Sequence, residues 1–230
     1  MQITERKSGE TSRDYAYRVL KENIISLDLK PGEYVSEKGL AEELGLSRTP
    51  VREAIIDLSR TGIINIVPQK GNYISKMDYD TVEESQFMRV TMEKAIVNLA
   101  CDPDSDIDFS KLEENVELQR FYLNKGMIDK MLDLDNQFHE LIFDATNKKK
   151  IYDMVRDLTI HFERLRSISI HTMDMEQIVE DHENIYKYIM NGEADKAVRA
   201  IDVHLGRYKV QEQEIRASHP DYFIDSDKKD

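Results

Sequence analysis

The sequence predicts a mainly α protein in two parts, an N-terminal winged helix-turn-helix and a C-terminal all-α antiparallel bundle of six helices. Three observations lead there. Residues 36–60, SEKGLAEELGLSRTPVREAIIDLSR, carry two short helical apolar patterns separated by a glycine. Residues 63–75, IINIVPQKGNYIS, read as a β-hairpin. From Asp80 onward the apolar spacing is helical, and breakers are few: Pro103, Pro220, Gly126, Gly192 and Gly206.

In the first helix of the pair, Leu40, Ala41 and Leu44 share one face, Gly45 supplies the turn and Leu46 anchors it. Ser47 starts the next helix, where its hydroxyl can cap free backbone N–H groups. Pro50 is tolerated within the first turn, and Val51, Ala54, Ile55 and Leu58 form the buried stripe. Arg48, Thr49 and Arg52 then face outward. A guanidinium near the N-terminus of a helix lying in the major groove can take guanine O6 and N7 together, and Thr49 suits a phosphate or a thymine methyl. The plainer alternative is that the two arginines pair with Glu53 or Asp57 on a solvated face.

The hairpin has an apolar strand from Ile63 to Val67, a Pro68-Gln69-Lys70-Gly71 turn and a second strand around Tyr73 and Ile74. Gly71 lets backbone approach a phosphate closely and Lys70 adds charge beside it, although a hairpin alone is equally a surface feature. Turn, cap and wing together imply recognition of double-stranded DNA.

Six helices follow at 80–101, 109–125, 127–146, 148–169, 174–191 and 194–217. The breaks fall at CDPDSDID, Gly126, Thr146-Asn147, His171-Thr172 and Asn191-Gly192, and connections this short predict antiparallel neighbours. The expected organisation is a mobile stretch 1–10, a winged helix-turn-helix over 11–77, a ligand-binding and dimerisation bundle over 78–217, and a mobile tail 218–230.

Charge divides the same way. Residues 1–77 hold 12 Lys and Arg against 11 Asp and Glu, whereas residues 78–230 hold 20 against 34. The acidic part repels phosphate, so positive charge must gather on one face of the first part. The single Cys101 excludes an internal disulfide framework. No run approaches the about 18 apolar residues of a membrane span, and Met1–Glu10 lacks the apolar core of a signal peptide. The expectation is a cytoplasmic protein with no membrane partner.

Four residues stand on apolar faces where a plain core would not place them. Asp135 and His139 lie four apart beside Met131, Leu134, Phe138, Ile142 and Ala145. His182 shares a stripe with Ile178, Ile185 and Ile189, and His204 one with Ala197, Ile201 and Tyr208. A lone histidine there is commonly a satisfied core residue. Three of them with an inward carboxylate point instead to a divalent metal. A metal with an open position also describes hydrolases, but the chain has no HExxH, nucleophile elbow or phosphate-cradling glycine loop, so an enzyme is not expected.

The string LAEELGLSRTPVREAIIDL, with Gly62 and Gly71 after it, resembles the winged helix of the GntR family of bacterial transcription regulators over about Tyr15 to Ser75. By that resemblance Arg48, Thr49, Arg52 and Gly71 map onto DNA-contacting positions. Lys38 maps onto a position where an arginine often contacts DNA, and a lysine offers no bidentate fork there. The resemblance implies a regulator, by family tendency a repressor. A two-fold homodimer would match a palindromic operator.

Asp135, His139, His182 and His204 resemble, one by one, the ligands of the metal-binding, VanR-like FCD domain of the FadR subfamily. LDNQFHELIFDATN and EDHENIYKYIMNGEADKAVRAIDVHL carry the flanking likeness, over about residues 80–212. The ligand set suits a divalent transition metal, zinc or nickel first, with manganese, iron and cobalt also compatible. The implied effector is a small carboxylate at the metal. Arg89, in FMRVTMEKAIVNLA, matches an arginine turned toward the effector, or else forms an i to i+4 pair with Glu93. A second possibility makes the metal itself the signal. A long acyl-CoA effector fits poorly beside a metal cluster.

Overall fold

The computed structural model describes residues 1–103, 107–169, 173–207 and 212–224. The chain forms two compact units, one of residues 1–83 and 158–167 with the described stretch after Gln213, the other of residues 84–157 and 168–212.

The first unit begins with α1 (Ser12–Ile25), which the sequence pattern did not single out, capped by Thr11. It buries Tyr15, Ala16, Val19, Leu20 and Ile24. β1 (Tyr34–Val35) precedes α2 (Glu37–Leu44), where the Ser36 hydroxyl accepts from the Gly39 N–H at 2.9 Å. Gly45 ends α2 at φ 65°, and the Leu46 N–H reaches back to the Ala41 carbonyl at 2.9 Å, closing the tight turn. α3 (Arg48–Arg60) follows with Val51, Ala54, Ile55 and Leu58 buried. Ser47 occupies its cap position with extended backbone, but the hydroxyl makes no capping bond, contrary to expectation.

β2 (Ile64–Val67) and β3 (Gly71–Ile74) form the antiparallel wing. An unforeseen third strand joins it: β1 pairs with β3, giving the order β1-β3-β2. Gly71 has φ 110°, and a Cβ there would meet Tyr34 Cε2 at 2.5 Å, so β1 itself demands a glycine.

Residues 1–10 and the stretch around Phe223, both in segments expected to be mobile, make contacts with the first unit. The Gln2 N–H donates to Asn23 Oδ1 at 2.5 Å, Asn23 Nδ2 returns a bond to the Gln2 carbonyl at 2.8 Å, and Arg18 reaches Glu5 O and Glu10. A buried amide and one guanidinium thus hold residues 1–10 on α1. Met77 and Phe223 form a parallel bridge, and the Phe223 ring stacks on Tyr79 at 4.8 Å. Residues 225–230 lie outside the described residues.

The bundle contains α4 (Tyr79–Ala100), α5 (Ser110–Asn124), α6 (Met131–Ala145) after a 3-10 turn at Ile128–Lys130, and α7 (Lys149–Leu158). The chain continues with α8 (Ile160–Ser169), α9 (Met175–Met190), α10 (Ala194–Gly206) and α11 (Glu212–Ser218), of which most of α8 and nearly all of α11 belong to the first unit. The expected 148–169 helix is therefore two, and within the expected 194–217 span α10 and α11 are separated by residues 208–211, which lie outside the described residues. The 148–169 pattern breaks at buried Thr159, because Leu158–Ser167 pack in the first unit and Ile160 enters its core. The predicted break at His171-Thr172 and the Tyr208 stripe position lie outside the described residues, as do 104–106 of the Asp-rich loop. Phe138, Ile142, Phe143, Ile185, Ile189 and Ile201 lie at the centre of the second unit's core.

α8 also buries His161 and Arg164 in the first unit, with Arg164 Nη2 donating to the Ser75 carbonyl at 2.7 Å. Burial pulls the His161 pKa down from 6.5 to about 4, assisted by Arg164 and opposed by Asp78 and the Gly62 backbone. The folded value lies below the unfolded one, so the stability contributed is fully present above pH 6.5 and drains as pH falls towards 4. Replacing His161 with Gln should flatten this part of the pH–stability curve, read by urea titrations across that range. An unchanged slope would assign the acid sensitivity to other groups.

Candidate metal centre

α6, α9 and α10 each turn one face of their apolar stripe to a common point. Asp135 and His139 come from α6, His182 from α9 and His204 from α10, all at most 4% exposed. His182 Nε2 lies 3.2 Å from His204 Nε2, which lies 3.3 Å from His139 Nε2. Asp135 Oδ1 is 3.6 Å from His182 Nε2 and 3.9 Å from His204 Nε2, and Oδ2 is 3.8 Å from His139 Nε2. One donor atom from each of the four lies within 4.8 Å of the others.

The outer edge of each ring explains why the inner edges are acceptors. His182 Nδ1 is 2.7 Å from Gln119 Oε1. Gln119 Nε2 donates to Asn115 Oδ1 at 2.7 Å, and Asn115 Nδ2 donates to the Leu134 carbonyl at 3.2 Å. That relay leaves the Gln119 oxygen for His182, so Nδ1 carries the proton and Nε2 a lone pair. Phe138 stacks on the same ring at 4.0 Å and fixes its plane. His139 Nδ1 lies 2.5 Å from Glu93 Oε2, and His204 Nδ1 lies 3.5 Å from Asp181 Oδ2.

Burial pulls the His139 pKa down, assisted by Arg89 and opposed by Glu93 and Asp135. Burial raises Glu93, but His139 and Arg89 outweigh it and hold the carboxyl at about 2. Asp181 is likewise held below its ordinary value, burial being outweighed by His204 and Arg207.

Three ring nitrogens and a carboxylate turned to one buried point form a donor set that a cation among them would satisfy together. At a metal–nitrogen bond of about 2.1 Å, ligand nitrogens lie about 3.0 Å apart at right angles and about 3.4 Å apart tetrahedrally. The nitrogen spacings of 3.2 and 3.3 Å fall between these limits. The donor set therefore fits a divalent transition metal, with outer acceptors of the kind that orient metal-bound imidazoles.

The sequence-derived nucleic-acid residues sit on the first unit. Arg48, Thr49 and Arg52 are exposed on α3, Lys70 is exposed at the wing tip and Gly71 is partly buried beneath Tyr34. Arg52 pairs with Glu37 of α2 at 3.3 Å, not with Glu53 or Asp57. Asp57 is engaged by Arg13 and Arg60. Lys38 lies 3.7 Å from Glu42.

The family of bacterial regulatory proteins of gntR type matches residues 13–74, and the FCD domain family matches residues 84–207, over half of the chain. The chain belongs to the GntR family and carries an FCD domain. It is a transcriptional regulator, the role that its relatives' names also carry. The HTH-type transcriptional repressor RspR of Escherichia coli (strain K12) is 29% identical over 208 residues, which span 90% of this chain and 91% of RspR. The solved structure of E. coli McbR/YncC superposes with a TM-score of 0.74 at 20% identity, over 92% of this chain and 99% of that one. A GntR regulator from Rhodococcus sp. RHA1 gives a TM-score of 0.72 at 20% identity, over 88% and 97%. Likeness at such identity speaks for the fold alone. Among the described residues no helix is long and apolar enough to cross a membrane.

The regulator's structure brings Asp135, His139, His182 and His204 together and seats Arg89 one residue partner away, on Glu93. Sequence reasoning missed Gln119, Asn115, Asp181 and Arg207, and saw Glu93 only as a partner for Arg89. The neighbouring letters Asp181-His182 were the one local signal. Replacing Gln119 with Leu should lower stability by about 1 to 3 kcal/mol, because it strands the His182 N–H and the Asn115 amide. Denaturant unfolding checks this, and a loss below about 0.5 kcal/mol would mean the relay is dispensable.

Proposed function

We propose that the regulator binds a palindromic operator as a homodimer, and that a small carboxylate metabolite at a metal centre controls operator affinity. The observation that carries this reading is the convergence of three Nε2 atoms and Asp135 in a buried site, with Gln119, Glu93 and Asp181 beside the outer edges of the rings. Asp135, His139, His182 and His204 would hold the metal, with zinc or nickel first among candidates and manganese, iron or cobalt compatible with the same donors. When bound, the metal supplies a concentrated positive charge and an open coordination position that a carboxylate can occupy. Arg89 supplies a second cation for that carboxylate, and Phe138 and the surrounding core exclude bulk water from the rings.

On the DNA side, Arg48 and Arg52 reach for base edges, Thr49 and Lys38 flank them, and Lys70 and Gly71 present the wing to phosphate. Arg52 must exchange Glu37 for its DNA partner. Both side chains are surface groups, so the exchange costs little. For the dimer, α4 exposes Phe87 at 76% and, on another side, Met92 and Leu99 at 38% each, apolar surface that pairing of two copies would cover in part. Repression is the sign that RspR's name carries and is extended to this chain on that basis.

The burial of all four ligands favours a resident metal over an exchanging signal, because a shielded ion equilibrates slowly with its surroundings. Thermal stabilisation by a panel of small carboxylates, before and after chelation with metal content determined, separates the two. A hit lost on chelation supports the metal-anchored effector; a metal-loaded sample with no hit, whose operator binding tracks metal content, supports metal sensing. His182→Ala should lose metal while keeping its helical circular dichroism, and unchanged metal content would discard this ligand set. Arg52→Ala should weaken operator binding by about 1 to 3 kcal/mol and relax preference at one base pair. Uniform weakening across sequences would mark a phosphate contact instead.

A further inference from the structure

Arg89 and Glu93 lie one turn apart on α4 and are both 4% exposed. Arg89 Nε donates to Glu93 Oε1 at 2.6 Å, and the other carboxylate oxygen, Oε2, lies 2.5 Å from His139 Nδ1. The carboxylate is thus spanned between a cation and a ring. We infer that Arg89 and Glu93 are positioning residues for His139, Glu93 backing the ring and Arg89 holding Glu93 in place. The inference rests on the metal site of the preceding proposal and specifies how one of its ligands is held.

The physical case has three steps. First, a carboxylate accepting from Nδ1–H fixes the tautomer and enriches the opposite nitrogen, so Nε2 becomes the better donor. Second, a buried carboxylate keeps its charge only with a counterion beside it, and Arg89 is that counterion. Third, the same motif recurs at His204, where Asp181 Oδ2 lies 3.5 Å from Nδ1 and Arg207 Nε donates to that oxygen at 2.5 Å. The two relays differ in exposure. The Arg207 side chain is 35% exposed and the Arg89 side chain 5%. Solvent screens the former, while the latter acts at close quarters inside the bundle.

A surface pair at this spacing would be ornamental to the site. Here both members are buried, so loss of either changes the partner of a metal ligand and with it the metal affinity.

The test uses the full chain and the metal alone. Zn²⁺ and Co²⁺ affinities are measured by competition with a chromogenic chelator for the unaltered protein, Arg89→Met, Glu93→Gln, the double variant and Arg89→Lys, with thermal melts alongside. Each single change to Met or Gln should weaken metal binding about 10- to 100-fold and shift the Co²⁺ absorption bands. The double variant should be no weaker than the worse single, since the two residues act in series. Arg89→Lys, which keeps the charge, should recover most of the affinity, a rescue that a packing role would not give. If Glu93→Gln fails to fold, the Arg89 pair of variants carries the test. Tight metal binding by the unaltered protein with Arg89→Met and Glu93→Gln within about twofold of it overturns this inference alone. Absence of metal binding by the unaltered protein overturns the preceding proposal and this one together.

Discussion

The second unit depends on one electrostatic constraint: three imidazoles meet beside a carboxylate in a buried interior, His204 Nε2 standing 3.2 Å from His182 Nε2 and 3.3 Å from His139 Nε2. Such a set is stabilised by polar partners at the outer ring edges and by a cation in the inner space. The groups that form this site come from five helices. α4 brings Glu93, α5 brings Gln119, α6 brings Asp135 and His139, α9 brings His182 and Asp181, and α10 brings His204. The apolar cluster of Phe138, Ile142, Ile185 and Ile201 continues the same helical faces, so correct core packing and correct ring orientation are one event. A partly satisfied version of this network would be worse than an apolar core of the same volume.

The first unit solves a different problem, that of presenting positive charge from a nearly neutral domain. Several of its basic groups are spent internally: Arg18 ties the N-terminal stretch through Glu10, and Arg13 and Arg60 meet on Asp57. Those pairings gather acidic side chains away from the outward start of α3. Arg52 and Lys38 carry only exposed acidic partners, which DNA phosphate and base edges can replace. The wing is stiffened from below by β1, whose Tyr34 ring covers Gly71. Gly71 is thus required by the fold, and the same lack of a Cβ keeps the backbone approachable.

What was legible in the sequence follows the physics. Periodic stripes revealed α2, α3, α6 and α9, and glycine or asparagine marked the ends at Gly45, Asn147 and Gly192, because these signals are local. The histidines were conspicuous for standing in otherwise apolar stripes. The break at Thr159 was not, since nothing at that position prevents a helix and the division arises from which unit each half packs against. β1 escaped for the same reason: two residues have no periodicity, and a partner in β3 alone makes them a strand. The Gln119–Asn115 relay was hidden because amides on a helix carry no sign of being buried, and only the tertiary fold brings Gln119 within 2.7 Å of His182. For Arg89, two readings stood as alternatives, and the geometry makes the pairing with Glu93 part of the site.

Formal charge then constrains what the centre can attract. Arg89 pairs with Glu93 and Arg207 with Asp181, while Asp135 adds a carboxylate facing the three rings, inside a bundle that is itself strongly acidic. An anionic metabolite approaching it is repelled at long range and gains nothing on arrival. A divalent cation among the four ligands offsets that carboxylate and adds positive charge in surroundings where charges act strongly. Under the proposed reading, metal occupancy is therefore the condition for carboxylate binding and not a decoration of it. The acidic exterior adds selectivity. A metabolite must reach the centre against repulsion, which disfavours loosely held anions and favours those that can engage both the metal and Arg89 at once. To move operator occupancy decisively, that double grip must prefer one state of the regulator by a few kcal/mol. A single exposed ion pair would not supply this, whereas a desolvated carboxylate shared between two cations is the kind of contact that can.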